Sequence, residues 1–254
     1  IIVFTILMTV FFGTLLSLTR MKLKPIQDKQ VEIDTKKKIL GAVIDISDFD
    51  PEQILATYNE KMVSVVLNYD NDVVEIDSKG NAIVAEEINI QKNYKLRPED
   101  RLYPIFMYNS NSSDEFEIYQ TMKTVDAYIF PMFGNGLWDW ISGYIALERD
   151  LNTIKGVAFD HKQETPGLGA RISSNEIQDR YKKKKIFDNN GDLISITMLR
   201  SENNRTINEH QVDGMSGATI TGNGLNKMIL HYFECYQGYI NKNKLNAVIK
   251  TSKN

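Results

Sequence analysis

One cysteine and three histidines are all that the 254-residue chain contains of these two residue types. A single thiol cannot close a disulfide within the chain, so it says nothing firm about the redox compartment. The same scarcity denies the chain the ligands of an iron–sulfur cluster and argues against a structural zinc site. Any electron transfer by this chain therefore needs an organic carrier. Cys235 reads as an apolar position of a C-terminal helix. His161 and His210 each precede a loop, where a lone histidine more often faces solvent than binds a ligand. An excess of one charge is missing too: 30 Lys and Arg against 33 Asp and Glu give a formal charge of −3, which excludes the basic footprint of a nucleic-acid-binding surface. The basic runs Lys36–Lys38 and Lys182–Lys185 read as solvated faces. No Gly-x-Gly-x-x-Gly stands in a βαβ context, so the sequence offers no dinucleotide-binding turn. There is no internal repeat. With 42% hydrophobic and 25% charged residues, the composition is that of a folded body, and the length allows one large domain or two small ones.

What the chain does have is a long uncharged start. Ile1–Thr19 carries no ionisable side chain, and nineteen residues at a rise of about 1.5 Å reach about 28 Å, close to the thickness of a hydrocarbon core. A transmembrane anchor is expected over residues 1–24. A signal peptide is the competing reading, but no small-x-small cleavage site follows and the apolar run exceeds the usual length. The chain does not begin with Met, so a trimmed natural N-terminus is expected and the flank that would set orientation is missing. Arg20, Lys22 and Lys24 follow the span directly and, taken alone, would keep the folded body in the cytoplasm.

Beyond the anchor, residues 25–124 read as a membrane-proximal region. Lys29–Ile46 is expected to be helical, and Asp50-Pro51-Glu52-Gln53 supplies a capping box for a second helix running to about Val65. Val73–Ile76 and Ala82–Val84, separated by Asp77–Asn81, read as a hairpin. An apolar run at Leu102–Tyr108 reads as a strand, followed by an Asn-rich surface turn over Asn109–Ser113. Residues 125–241 then read as strands at Val125–Phe133, Ile141–Glu148, Thr153–Phe159 and Ile194–Leu199, closed by a helix. Leu225, Met228, Ile229, Tyr232, Phe233 and Tyr236 recur at helical spacing and give that helix one buried face, with Asn223 as its expected N-cap. The sum is an α+β fold with an antiparallel sheet and flanking helices. Residues 242–254 read as a polar, disordered tail.

The segment with most chemistry is Asp213-Gly214-Met215-Ser216-Gly217-Ala218-Thr219-Ile220-Thr221, three hydroxyls and small residues just before the helix. Backbone N–H groups at a helix start are unpaired and carry partial positive charge, so an anionic group bound or esterified there is stabilised without any Arg or Lys. The plainer reading is a glycine turn and a cap. Two further segments invite a ligand. Gly134-Asn135-Gly136-Leu137-Trp138 offers apolar walls and free backbone, although aromatics beside glycine commonly just pack. Glu164-Thr165-Pro166-Gly167-Leu168-Gly169-Ala170 is by itself a β-turn, but its glycines let backbone approach a flat ligand closely.

Together these three segments, in this order, resemble the FMN-binding domain of NqrC, a component of the Na+-translocating NADH:quinone oxidoreductase, and of its counterpart in the related Rnf complex. The resemblance covers roughly Asp126–Ile240 and the N-terminal anchor. It implies FMN linked by a phosphoester to Thr219, within a signature that includes Asp213, Ser216, Gly217 and Ala218; Ser216 and Thr221 are the decoy hydroxyls. It assigns Glu164 and Thr165 to hydrogen bonds with the flavin, Gly167 and Leu168 to contact with its face, and the loop with Gly136, Leu137 and Trp138 to the ring as well, Leu137 and Trp138 as apolar walls and backbone groups at its polar edge. No base stands beside Thr219 in sequence, so a Mg-dependent flavin transferase is implied as a maturation partner, with Asp213 shaping the loop or being read by that enzyme. Gly222 stands where the family has a small polar residue, and Lys183 where it has a glycine. The implied function is single-electron relay in a bacterial membrane complex that couples NADH oxidation on another subunit to quinone reduction and sodium transport, with the flavin domain on the outer face of the cytoplasmic membrane. The Rnf carrier, and a membrane-tethered flavin-binding sensor or assembly module without turnover, are the alternatives.

Overall fold

A computed structural model of the chain describes residues 1–77, 79–110 and 125–251, with side chains as far as residue 244. Its centre is a five-stranded antiparallel meander of β1 (Met62–Leu67), β2 (Tyr103–Tyr108), β3 (Ala127–Asn135), β4 (Trp140–Glu148) and β5 (Ile154–His161), ordered along the sheet as along the chain. Alternation along the strands sends side chains to two faces. Tyr128, Phe130, Met132, Ile141 and Ile145 join one buried cluster, whereas Ala127, Ile129, Phe106 and Ala146 join another on the opposite side. Every residue of β2, and every residue of β3 but the last, is buried. The sheet is thus covered on both faces, and the α+β expectation holds.

One face is covered by α5 (Thr219–Thr251), whose predicted apolar stripe is buried from Leu225 to Tyr236. Phe233 and Tyr236 meet Phe130 of β3 edge to face, with ring centroids 6.0 and 4.9 Å apart. Such pairs add about 0.5–1.5 kcal/mol each to the gain from burial. β2 pairs with β3 only over Phe106–Tyr108. Beyond that, Pro104 and Pro131 have no N–H to donate, and the Tyr236 hydroxyl donates to the Pro104 carbonyl instead, at 2.9 Å. The helix also begins four residues earlier than Asn223. Its first intrahelical bond runs from the Gly222 N–H to the Ala218 carbonyl, which makes Ala218 the cap residue and places Asn223 inside the second turn. Nor does it stop at Asn241: it continues through the Lys-rich segment to Thr251, although residues 252–254 lie outside the described ones.

The other face is covered by the C-terminal part of α1 (Ile2–Gly41) and by α2 (Pro51–Lys61). The anchor and the membrane-proximal helix are one continuous 40-residue helix, about 60 Å long. Pro25 lies inside it. The N-terminal part is long and apolar enough to cross a membrane, with a mean hydropathy of 2.2 over 18 residues and none of them buried. The Asp50–Gln53 capping box is formed, with Asp50 accepting from the Glu52 and Gln53 N–H groups. α2 ends at Lys61 rather than near Val65, because the β-branched valines Val63, Val65 and Val66 favour a strand and the chain continues as β1.

The hairpin is present through the antiparallel bridge Ile76–Ala82, and a second bridge, Leu67–Val73, ties its first arm to the end of β1; Ser78 in its turn lies outside the described residues, as do 111–113 of the Asn-rich turn. Asn109, expected at the surface, is buried. The strand expected over Ile194–Leu199 shrinks to β6 (Thr197–Met198), paired in parallel with β7 (Gln211–Val212) just before the helix. Short helices α3 (Ile90–Tyr94) and α4 (Asn175–Asp179) fill the connections. Lys183 has φ 64, a left-handed conformation that suits the glycine expected there.

α5 crosses β3 at very short range. A Cβ on Gly224 would run into the Asn135 backbone carbonyl, which has no side-chain freedom to give. Alanine favours a helix over glycine by about 1 kcal/mol, but overpacking against fixed backbone costs about 1–3 kcal/mol. Gly224→Ala is therefore expected to lower the thermal midpoint by a few degrees; a raised midpoint would show that the helix has room there.

Candidate functional site

The three singled-out segments converge at one end of the sheet. Residues 136–139 join β3 to β4 in a tight turn closed by the Gly136 N–H on the Asp139 carbonyl at 2.8 Å. Residues 162–170 leave β5 and fold back through Gly167 at φ 75, with Thr165 O accepting from the Leu168 and Ala170 N–H groups. The third is the first turn of α5 and the loop before it. Lys162 clamps the first segment to the second through Asp139, at 3.0 Å.

Between them lies a cleft of about 280 Å³. Leu137 and Leu168 form its apolar sides, Thr165 and Gly169 its edge, and Gly217–Thr221 its floor. Leu137, Leu168 and Ile220 remain 44%, 41% and 57% exposed, an unusual state for large apolar side chains grouped about one opening. The Trp138 side chain, 67% exposed, stands at the rim and donates from Nε1 to Thr165 Oγ1 at 3.2 Å. Gly167 is at the exposed loop tip. Gly217 has φ 74, and a Cβ there would meet Leu168 Cδ2 at 2.8 Å, so the loop before α5 and the turn of the second segment touch through a glycine.

The signature hydroxyls have different surroundings. Thr221 is buried and donates to Glu164 Oε2 at 2.6 Å. Ser216 is exposed and does not line the cleft. Thr219, at the first helical position, lines it with only a 3.5 Å contact to the Arg200 carbonyl. Ala218, the cap residue, has no side chain to satisfy the N–H groups of that first turn, so their partial positive charge faces whatever binds. The geometry suits a ligand with a flat apolar body and an anionic end.

Glu164, expected to meet a ligand directly, spends its carboxylate on the protein. Oε1 accepts from the Leu137 and Trp138 N–H groups at 2.8 and 3.0 Å, and Oε2 from Thr221. Asp213 is turned behind the loop, accepting from the Asn203 N–H and from the Asn204 N–H and side-chain amide at 2.7, 3.1 and 2.7 Å. Burial works against its charge, yet these bonds hold the Asp213 carboxyl below its usual range. The histidines serve the scaffold: His161 Nδ1 accepts from the Glu164 N–H at 3.4 Å, and His210 bonds the Lys185 carbonyl. Among the described residues no group of three His, Cys, Asp or Glu is placed to hold a metal. A larger recess of about 430 Å³ beside β1, lined by Tyr58, Ser64 and Glu86, involves none of the three segments.

A brace that no motif announced supports the loop before α5. Glu202 accepts from the Ser216 N–H at 3.0 Å and pairs with Arg171 and Arg180 at 2.7 and 2.9 Å. Arg180 also donates to the Asp213 and Gly214 carbonyls. Arg171 directly follows Ala170, but its partner lies 31 residues on in a loop without sequence pattern. Hydrogen bonds from Arg171, then Arg180, then the Ser216 N–H pull the Glu202 carboxyl down to about 2. Its folded-state value lies below its unfolded one, so the stabilisation is fully present above about pH 4.5 and is lost as pH falls toward about 2. Wild type should therefore lose more stability to urea than Glu202→Gln between pH 5 and pH 3; parallel losses would show that the brace carries no folding energy.

Residues 136–233 match the family model of the FMN-binding domain. Over 226 residues the chain is 30% identical to the NqrC component of the Na(+)-translocating NADH-quinone reductase of Neisseria meningitidis serogroup A, covering 87% of this chain and 85% of that one. The same component from Haemophilus ducreyi is 28% identical over 231 residues, covering 90% and 86%. A crystal structure of the corresponding protein from Parabacteroides distasonis aligns with a TM-score of 0.69 at 28% identity, covering 86% of this chain and 96% of that one. These matches run through both the sheet and the loops that form the cleft, and the chain belongs to the NqrC family of Na(+)-translocating NADH-quinone reductase components.

Proposed function

We propose that this protein holds FMN as a phosphoester on Thr219 and relays single electrons within its membrane complex. The observation that carries this is the contrast among three hydroxyls: only Thr219 both lines the cleft and is free of a firm hydrogen bond, whereas Thr221 is committed to Glu164 and Ser216 lies off the cleft. An ester on Thr219 Oγ1 sets the phosphate at the uncapped start of α5, where a diester's charge of about −1 is balanced by helix N–H groups. The ring would then be held in the cleft by Leu137 and Leu168, with Thr165 and the Trp138 side chain at its edge and Gly136 and Gly167 allowing close backbone.

FMN supplies the electron-accepting chemistry; the protein supplies position, dielectric and hydrogen bonding. The nearest partner of Thr219 Oγ1 is a carbonyl oxygen, which cannot take its proton. A flavin transferase must therefore provide the base, forming the Thr219 oxygen–phosphorus bond of FMN as FAD loses AMP. Asp213 and Glu202 hold the loop that such an enzyme reads. NADH oxidation then belongs to another component of the complex. The α1 anchor, covering residues 1–24, holds the flavin domain at the outer face of the cytoplasmic membrane, beside the other components.

The test is mass spectrometry of peptides released by protease from the outside of intact spheroplasts co-expressing a flavin transferase. The Asp213–Lys227 peptide should gain about 438 Da, and Ser216→Ala should keep the gain while Thr219→Ala abolishes it. An unmodified wild-type peptide would refute the attachment, and a modified but protected one would refute the orientation.

A further inference from the structure

Glu164 is buried, at 4% exposure, and forms no ion pair among the described residues. A carboxylate in that setting depends on its hydrogen bonds, and all three of them come from segments other than its own. Two come from backbone N–H groups of the β3–β4 turn and the third from Thr221, itself 1% exposed and in the first turn of α5. The enclosure is built around the carboxylate. A Cβ on Gly136 would run into Oε1, and one on Gly169 would run into both Oε2 and the Thr221 hydroxyl. Glycine at these two positions lets three chain segments close on one side chain.

We infer that Glu164 and Thr221 form a positioning pair that assembles the cleft before any cofactor is attached, by locking the Leu137–Trp138 turn to the helix that carries Thr219. The identity of the cofactor rests on the reading above; the lock itself does not. Neither residue is required to touch the ligand. Thr221 holds Oε2 on the helix side, so the carboxylate is oriented to receive the Leu137 and Trp138 N–H groups, and the angle between the apolar wall and the helix start is fixed. Loss of the Thr221 donor frees the carboxylate to rotate, and the turn loses its acceptor although no residue of the turn has changed.

The experiment is residue-resolved hydrogen exchange on the full chain in detergent, with and without flavinylation, for wild type, Thr221→Val, Thr221→Ser and Glu164→Asp. Thr221→Val removes the donor while keeping the shape, Thr221→Ser restores it, and Glu164→Asp shortens the reach by one methylene. Exchange at the Leu137 and Trp138 amides should quicken by about tenfold or more, the scale set by loss of one charge-assisted hydrogen bond, in Thr221→Val and Glu164→Asp but not in Thr221→Ser. The β3 amide of Phe130 should stay protected throughout, which separates local release from unfolding. In the flavinylated Thr221→Val chain the visible circular dichroism of the flavin should change, and Thr221→Ser should retain the wild-type signal. Unchanged exchange at Leu137 and Trp138 in both Thr221→Val and Glu164→Asp would overturn the lock, as would Thr221→Ser behaving like Thr221→Val. Flavin content is read separately by mass, so a chain without FMN would sink the attachment reading and leave the exchange result standing.

Discussion

The contact of α5 with β3 is the constraint on which the rest depends. Phe233 and Tyr236 fasten the middle of the helix to Phe130, and Gly224 brings its N-terminal part down to the Asn135 carbonyl. Gly224 lies five positions after Thr219, little more than one helical turn. The register of an apolar interface therefore decides where one hydroxyl lies relative to the β3–β4 turn. A slip of a single residue along the stripe would rotate that hydroxyl by about 100° and turn it away from the cleft. This explains why a redox protein devotes so large a share of its core to one helix–sheet contact. The proposed flavin site lies not within the core but at its edge, and only a stiff edge can hold a ligand in place there.

At that edge the chain does not supply a catalytic group in the usual sense. Thr219 has no base, and the charged residues nearby are turned toward one another or toward backbone. Asp213 braces the Asn203–Asn204 turn, Glu202 gathers Arg171 and Arg180 beneath the loop before α5, and Glu164 ties three segments together. Such a site suits a carrier. A substrate-processing enzyme needs groups that change protonation as the reaction proceeds, whereas a relay needs a fixed environment. The apolar side chains left exposed around the cleft, Leu137, Leu168 and Ile220, are those a flat ring would cover.

Much of this was legible because the apolar stripe of α5, the capping box at Asp50 and the strands from Ala127 to His161 are local patterns with strong periodicity. The errors fall where a long-range contact overrides local preference. Asn223 is a better cap than Ala218 by propensity, but the Asp213–Ala218 loop, held by Glu202 and Asp213, starts the helix earlier. The helix expected through Val65 gave way because β1 pairs with β2, forty residues away and invisible to a local window. For the site, three glycine-containing segments announced the ligand, but the pattern shows only a carboxylate near a turn and cannot show that the donors to Glu164 lie 26 to 57 residues distant in sequence. The Arg171–Glu202–Arg180 brace left no pattern at all. Lys183 is the converse case: where a glycine was expected, the lysine has a left-handed backbone, at φ 64.

Trp138 offers the most direct test that the flavin ring lies in this cleft. In a Trp140→Phe background, Trp138 is the chain's remaining tryptophan, and its side chain stands at the rim beside Thr165. The account predicts that its emission is strongly quenched in the flavinylated chain relative to the flavin-free one, through energy transfer to the nearby ring. Emission of equal strength in the two forms would place the ring elsewhere and contradict the site described here.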